Sequence, residues 1–115
     1  MLFHLCLTLQ SHILRPISHN ILKVDKVTRA ISVFAHEHSM NQPNDIAISA
    51  NDIIYASDPH WNESWGQLWR IDTKGEVTLL ETEMGTTNGI EVSPDECSLY
   101  VNETVQRNIW VYNLS

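Results

Sequence analysis

Short apolar runs of four to six residues recur along the chain and alternate with polar, turn-forming segments. The runs are rich in Ile, Val, Leu, Tyr and Trp, which favour strands, and turn formers such as those at 49–52 (SAND) and 93–96 (SPDE) bound them. No window keeps a 3.6-residue apolar period for three turns, which argues against a helical domain. The pattern therefore predicts an all-β chain. Its strands are predicted at residues 21–25, 31–34, 45–49, 53–56, 68–72, 77–80, 89–93, 98–101 and 109–113.

Two of the predicted turns have a specific chemistry. Residues 72–75 (DTKG) are expected to close a hairpin in which Gly75 supplies a positive φ angle. Residues 93–95 (SPD) are expected to form a tight turn, because the proline ring presets its φ angle. Both turns join strands that are neighbours in sequence.

The chain repeats itself at an offset of 44 residues. Residues 44–49 (NDIAIS) align with residues 88–93 (NGIEVS), so Asn, Ile, an aliphatic residue and Ser recur in step. The later segments of the unit also match: Tyr55 with Tyr100, Trp69 with Trp110, residues 68–72 with 109–113 and 21–25, and residues 77–80 with 31–34. Four short strands in a period of about 40 to 50 residues are typical of a β-propeller blade.

Composition excludes several classes of protein and raises a conflict of length. The chain has 115 residues, 43% hydrophobic and 18% charged, which excludes a disordered tail, a collagen-like fibre and a coiled coil. Fourteen acidic against seven basic residues give a formal charge of −7 without any basic run, which disfavours nucleic-acid and membrane-surface partners. A propeller needs four to eight blades, whereas this sequence holds about two to two and a half.

The N-terminal residues 1–18 are expected to lie outside the propeller, which is assigned to residues 19–115, and their role is not predicted. They lack the positively charged start of a signal peptide and are too short to span a bilayer, which favours a cytoplasmic protein, with secretion as the alternative. Cys6 and Cys97 are interpreted as free thiols, since two distant cysteines do not make a disulfide framework.

Several runs together resemble the gluconolactonase family, also called the SMP-30 or regucalcin-like family. They are residues 42–48 (QPNDIAI), 55–59 (YASDP), 66–71 (GQLWRI), 87–95 (TNGIEVSPD) and 99–103 (LYVNE). The resemblance implies a six-bladed β-propeller with a divalent cation, usually Ca²⁺, in its central channel, and a hydrolase that opens sugar lactones. A ring of six such repeats needs about 264 residues, so the chain would be a partial propeller.

Asn44 and Asn88 are the candidate metal ligands. Each stands just before the first strand of its blade, and the innermost strands line the channel, so both side chains are expected at one channel mouth. Carboxamide oxygens are hard, neutral ligands that suit Ca²⁺, although Asn before a strand is also a frequent turn residue. The resemblance implies that Asn88 binds the metal directly, that Asn44 binds metal, substrate or water, and that Asp45 lies at the channel mouth as a substrate-binding candidate.

The family's acidic metal ligands, one of which is its proposed acid/base, match no segment of this sequence, and no Ser-His-acid triad is legible. No catalytic residue is therefore predicted, and the isolated chain is expected to be inactive. The alternative is a non-catalytic β-repeat that binds a partner, or an inactive remnant. Unpaired strand edges are expected to favour self-association.

The remaining candidates concern aromatic and loop residues. Trp61 and Trp65 are predicted to lie in a long loop and to contact substrate, whereas Trp69 and Trp110 recur at the repeat spacing and are expected to pack between blades. Residues 58–59 (DP) are interpreted as a pocket loop or a strand terminator. The run at 36–38 (HEH) resembles a metal pair but lacks further ligands nearby.

Overall fold

A computed structural model describes residues 19–114, and the predictions for residues 1–18 and for Cys6 lie outside this range. Within it the chain forms nine strands, which confirms the all-β prediction. They are β1 (Asn20–Val24), β2 (Ile31–His36), β3 (Asp45–Ile48), β4 (Ile54–His60), β5 (Trp65–Ile71), β6 (Val77–Met84), β7 (Thr87–Val92), β8 (Ser98–Glu103) and β9 (Asn108–Asn113).

The described strands form three antiparallel sheets that follow the repeat. Sheet 1 has the order β1-β2, sheet 2 has β3-β4-β5-β6, and sheet 3 has β7-β8-β9. Each strand pairs with its neighbour in sequence, as a blade built from successive hairpins requires. The sheets contain two, four and three strands, in agreement with the alignment of the repeated segments.

Sheet 2 is covered on both faces, because the apolar residues of the three sheets form two separate cores. One core lies between sheets 1 and 2 and includes Ile21, Met40 and Trp69. The other lies between sheets 2 and 3 and includes Leu68 and Leu99. The sheets therefore stack face to face in chain order, with the first strands of sheets 2 and 3, β3 and β7, in contact.

The two specific turns form as predicted. Gly75 has a φ angle of +86°, and a Cβ there would meet the carbonyl oxygen of Phe34 at 2.6 Å, so both conformation and space favour glycine. In the β7–β8 turn, the Ser93 hydroxyl donates to Asp95 Oδ1 at 2.6 Å and accepts the Ser98 amide at 3.0 Å. These local bonds explain how short polar segments reverse the chain.

Strands β4 and β5 are longer than predicted, which corrects two expectations. Asp58 and Pro59 lie inside β4 and do not end it, and Trp65 begins β5, so the connection is the short turn 61–64 and not a long loop. The two strands continue as an arm past the start of β3, whose first residue pairs with Ser57. Pro59 is tolerated there because its missing N–H points away from β5, on the side where β3 has not yet begun.

Candidate functional site

Asn44 and Asn88 meet at the junction between sheets 2 and 3. Asn44 immediately precedes β3, and Asn88 is the second residue of β7. The Asn44 side-chain amide donates to Asn88 Oδ1 at 2.7 Å, and both residues are half-buried. The structure therefore brings together the two residues that the repeat placed at one channel mouth.

Ser57 in β4 fixes the position of both asparagines. Its carbonyl oxygen accepts the Asn44 backbone amide at 2.8 Å, and its hydroxyl donates to the Asn88 carbonyl oxygen at 2.5 Å. Ser57 is fully buried. The pair is thus held by hydrogen bonds from the middle of sheet 2 and not only by its own contact.

Asp45 joins the two innermost strands. Its Oδ1 accepts the amide of Ile46 at 3.0 Å, and its Oδ2 accepts the amide of Ile90 in β7 at 3.3 Å. Both carboxylate oxygens therefore have backbone partners. Asp45 acts as a bridge between β3 and β7, beside the asparagine pair.

The β4–β5 arm carries the aromatic candidates at the same end of sheet 2 as Asn44. His60 lies three residues beyond Ser57, so the arm extends about 10 Å past the start of β3. Trp65 stacks on His60 with ring centroids 4.9 Å apart, and its indole N–H donates to Glu63 at 2.9 Å. Trp61 at the tip is 42% exposed and is the more accessible of the two tryptophans.

Asp58 organises a hydrogen-bond network that the sequence analysis missed. It is fully buried. Its Oδ2 accepts the Asn41 amide at 2.8 Å, the Gln67 side-chain amide at 3.1 Å and the Trp69 indole N–H at 2.8 Å, and its Oδ1 accepts the Gln42 amide at 2.5 Å. Burial raises the pKa of this carboxyl, and the four hydrogen bonds oppose that rise. The network ties the segment that leads into Asn44 to the middle of sheet 2.

Glu103 occupies the same place in sheet 3. Its Oε2 accepts the indole N–H of Trp110 at 2.7 Å, as Asp58 accepts that of Trp69. Its Oε1 is buried and has no hydrogen-bond partner among residues 19–114. The sequence feature that marks both positions is an acidic residue three residues after the repeated tyrosine, in residues 55–58 (YASD) and 100–103 (YVNE).

The two recurring tryptophans pack to different extents. Trp69 is 3% exposed within the core between sheets 1 and 2, as expected for packing between blades. Trp110 is 36% exposed, and in sheet 3 its main anchor is the bond to Glu103. Repeat spacing thus predicts the position of an indole better than its burial.

The described residues do not form a calcium site by themselves. Ca²⁺ takes six to eight oxygen ligands, whereas the pair offers two carboxamide oxygens, one of which accepts the bond from Asn44. Residues 19–114 contain no group of three or more His, Cys, Asp or Glu side chains suited to a metal, and this range includes the run at 36–38. Binding of Ca²⁺ at this pair would therefore need carboxylates from outside the described residues.

Two further observations concern the Cys97 thiol and membrane-spanning helices. Cys97 is a free, exposed thiol, as predicted. Within the described range, no helix is long and apolar enough to cross a membrane.

Comparison with known families identifies the chain's relatives. A profile of the SMP-30/Gluconolactonase/LRE-like region matches residues 4–115. The chain belongs to this family. The resemblance of the sequence runs is therefore confirmed. Because the profile match begins before residue 19, the propeller boundary at that residue stays a prediction.

Individual relatives of this SMP-30/gluconolactonase-like chain are lactonases by name. A gluconolactonase from Zymomonas mobilis is 34% identical over 110 residues, which cover 82% of this chain and 31% of that protein. A pentonolactonase from Haloferax volcanii is 30% identical over 69 residues, or 60% of this chain and 24% of that protein. The chain thus spans no more than about a third of the length of these curated relatives.

A solved structure supports the fold. A gluconolactonase from Xanthomonas campestris superposes with a TM-score of 0.73 at 19% identity, covering 84% of this chain and 38% of that one. That protein is a β-propeller, and the three stacked sheets described here form part of such a ring. The prediction of a partial β-propeller is confirmed.

Proposed function

We propose that this chain is part of a calcium-dependent hydrolase that opens sugar lactones. The observation that carries the proposal is the contact between Asn44 and Asn88, which places two hard oxygen ligands at the junction of successive blades in a lactonase family. Asn88 and Asn44 would hold the cation from one side. Carboxylates from outside the described residues would complete the site and balance its charge.

The other candidates surround this pair. Asp45 keeps β3 and β7 together through its bonds to Ile46 and Ile90, and so positions the asparagines. Trp61, exposed at the tip of the β4–β5 arm, offers an aromatic surface on which a sugar ring stacks, and Trp65 supports that tip through His60. When bound, the cation supplies positive charge that polarises the lactone carbonyl.

The isolated chain is proposed to be inactive, because two neutral amides neither hold a divalent ion tightly nor manage a proton. Gluconolactone hydrolysis is followed with a pH indicator in the presence of Ca²⁺. The 115-residue chain is expected to give no turnover above spontaneous hydrolysis. Turnover that a chelator abolishes would contradict this part of the proposal.

A chimera tests the function itself. The chain replaces the aligned third of the Zymomonas mobilis gluconolactonase, which restores a full propeller. The chimera is expected to hydrolyse gluconolactone with Ca²⁺, and Asn88→Ala within it is expected to lower kcat/KM at least about tenfold, since a direct ligand is lost. The control Asn51→Ala, in an exposed turn, is expected to leave the rate unchanged.

The outcomes of the chimera separate the two functional classes. A folded chimera without activity would favour the alternative, a non-catalytic binding segment or an inactive remnant. An active chimera in which Asn88→Ala matches the parent would retain lactonase function but remove Asn88 from the cation site.

A further inference from the structure

Both asparagines of the central pair lie outside the regular pairing of their strands. Asn44 precedes β3, and its backbone amide donates to the Ser57 carbonyl oxygen at 2.8 Å. Asn88 lies in β7 where the pairing with β8 shifts register, between Thr87 and Ile90. Such an irregularity re-aims a side chain relative to the alternation of a regular strand. The direction of both carboxamides therefore depends on the segments that lead into them.

The base of the β4–β5 arm consists of two residue pairs, Asp58 with Gln67 and Pro59 with Gly66, which face each other across the two strands. All four residues are buried, whereas the turn at 61–64 is exposed. The base of the arm is therefore a packed element, and it lies at the end of sheet 2 that carries the asparagine pair.

One set of contacts joins the base of the arm to the segment that leads into Asn44. Asp58 accepts the backbone amides of Asn41 at 2.8 Å and Gln42 at 2.5 Å. Only Pro43 separates these hydrogen bonds from Asn44, and Pro43 is fully buried with a φ angle that its ring fixes. A shift of the Asp58 carboxylate is therefore passed on to Asn44 with little slack.

A second set of contacts joins the base of the arm to the segment that leads into Asn88. A Cβ at Gly66 would meet the Gly85 carbonyl oxygen at 2.5 Å and the Thr87 backbone nitrogen at 2.9 Å, so glycine is needed for this close approach. The Thr87 hydroxyl, which is fully buried, donates to the Gln67 carbonyl oxygen at 3.4 Å. Because Thr87 directly precedes Asn88, the position of Asn88 depends on how closely the base approaches.

We infer that the base of the β4–β5 arm sets the geometry of the asparagine pair, with Asp58 and Gly66 as its positioning residues. Asp58 acts on Asn44 and Gly66 acts on Asn88, so the two contacts together fix the 2.7 Å bond between the carboxamides. Both residues act through the asparagines and not on a cation or a lactone directly. The catalytic consequence of this inference rests on the proposed function, whereas its geometric content does not.

Asp58→Asn and Gly66→Ala perturb the two asparagines separately. In Asp58→Asn, a side-chain amide replaces Oδ1 and faces the Gln42 amide, so two donors oppose each other. In Gly66→Ala, the Gly85 oxygen must retreat by about 0.5 Å to bring the approach from 2.5 to 3.0 Å, and the atoms that move belong to the backbone. Each variant is expected to displace one of the two leading segments.

Gly75→Ala is the matched control. A Cβ there would meet the Phe34 carbonyl oxygen at 2.6 Å, a similar clash with a backbone oxygen, and the φ angle of +86° adds strain. Gly75 lies in the β5–β6 turn, at the end of sheet 2 away from the arm. The control is therefore expected to lower stability at least as much as Gly66→Ala and to leave the asparagine pair in place.

Nuclear magnetic resonance of the ¹⁵N-labelled 115-residue chain tests the geometry without a cation. The signals to follow are the Asn44 side-chain amide, which makes the bond to Asn88, and the Asn88 backbone amide. Both signals are expected to shift in Asp58→Asn and in Gly66→Ala, and to keep their wild-type positions in Gly75→Ala. Unshifted signals in both base variants, or equally large shifts in the control, would overturn the inference. If one base variant fails to fold, the other decides.

The chimera with the Zymomonas mobilis gluconolactonase tests the catalytic consequence. Each base variant is expected to raise the Ca²⁺ concentration that gives half-maximal gluconolactone hydrolysis by about 10- to 100-fold, with most of kcat recovered at saturating Ca²⁺. A purely structural role would instead lower the rate by the same factor at every Ca²⁺ concentration, and this result would contradict the positioning role in catalysis. An inactive parent chimera would refute the proposed function, while the resonance shifts would still decide the geometry.

Discussion

Replacing Asp58 by alanine tests whether one buried carboxylate holds sheet 2 to the segment before it. Asp58 accepts four hydrogen bonds, from the backbone amides of Asn41 and Gln42 and from the side chains of Gln67 and Trp69. In Asp58→Ala all four donors lose this acceptor, whose side chain has no solvent exposure, and the Gln67 amide keeps a second partner, the Ser39 carbonyl oxygen. The cost is therefore set by unsatisfied donors and not by lost apolar area.

The size of the effect follows from those four donors. An unsatisfied buried donor costs about 1 to 3 kcal/mol, and the change also relieves the desolvation of a buried charge, which offsets part of the sum. The expected net loss in the free energy of unfolding is about 3 to 5 kcal/mol. Asp58→Asn keeps an oxygen for three of the donors and is expected to lose less than half as much.

Glu103→Ala is the matched control, because Glu103 holds the same place in sheet 3 but accepts only the Trp110 indole bond. Glutamate is larger than aspartate, so a cost set by lost volume would make Glu103→Ala the more damaging change. The hydrogen-bond count gives the reverse order, with about 1 to 2 kcal/mol for Glu103→Ala.

The assay is urea unfolding followed by tryptophan fluorescence and circular dichroism at one fixed protein concentration. With a slope of about 1 to 3 kcal/mol per M, Asp58→Ala is expected to lower the midpoint by roughly 1 to 5 M, and Glu103→Ala by clearly less. Equal losses, or a larger loss for Glu103→Ala, would refute the argument from hydrogen bonding.

Two further predictions concern pH. The folded pKa of Asp58 is raised above its usual 3.8, so between these two values the folded state binds more protons than the unfolded state. The wild type is therefore expected to gain stability relative to Asp58→Asn as pH falls through that window. Urea midpoints across the acid range measure the gain, and a constant difference between the two proteins would contradict it. Burial and the neighbouring Glu81 raise the pKa of Tyr112 to about 12, so its stabilising contribution is present below pH 10 and lost as pH rises toward 12. Absorbance titration of Glu81→Gln is expected to show Tyr112 ionising at lower pH than in the wild type, since the Glu81 charge beside it is removed. An unchanged titration would count against that cause.

Local chemistry explains which parts of the fold were predictable. Strand positions follow from apolar runs and turn residues, and the β5–β6 turn is formed by Gly75 at a positive φ angle and by Asp72, whose carboxylate accepts the amides of Lys74 and Glu76, so these features are visible in the sequence. The extension of β4 through Asp58 and Pro59 is not visible, because it depends on how far β5 continues beyond β3. The same extension moves Trp65 from a supposed loop into a strand.

The site was predictable where the repeat carries the information. Asn44 and Asn88 occupy equivalent places in successive blades, so their proximity follows from fold and period. The bond between them does not, because the direction of an amide depends on its neighbours, here including the buried Ser57. The proposed binding of a cation by these two asparagines requires carboxylate ligands from outside the described residues.

The two acids that follow the repeated tyrosines show how one position is adapted to two surroundings. Asp58 is the shorter acid and meets the segment at Asn41 and Gln42, whose backbone amides it accepts. The equivalent segment in sheet 3 has Gly85 in place of Asn41, and a Cβ at Gly85 would overlap the carboxyl group of Glu103. The longer acid therefore requires the smaller residue opposite it. Among the described residues, Oε1 of Glu103 gains no donor in return. The residue opposite Glu103 is therefore restricted by steric space, whereas the residues opposite Asp58 are needed as hydrogen-bond donors.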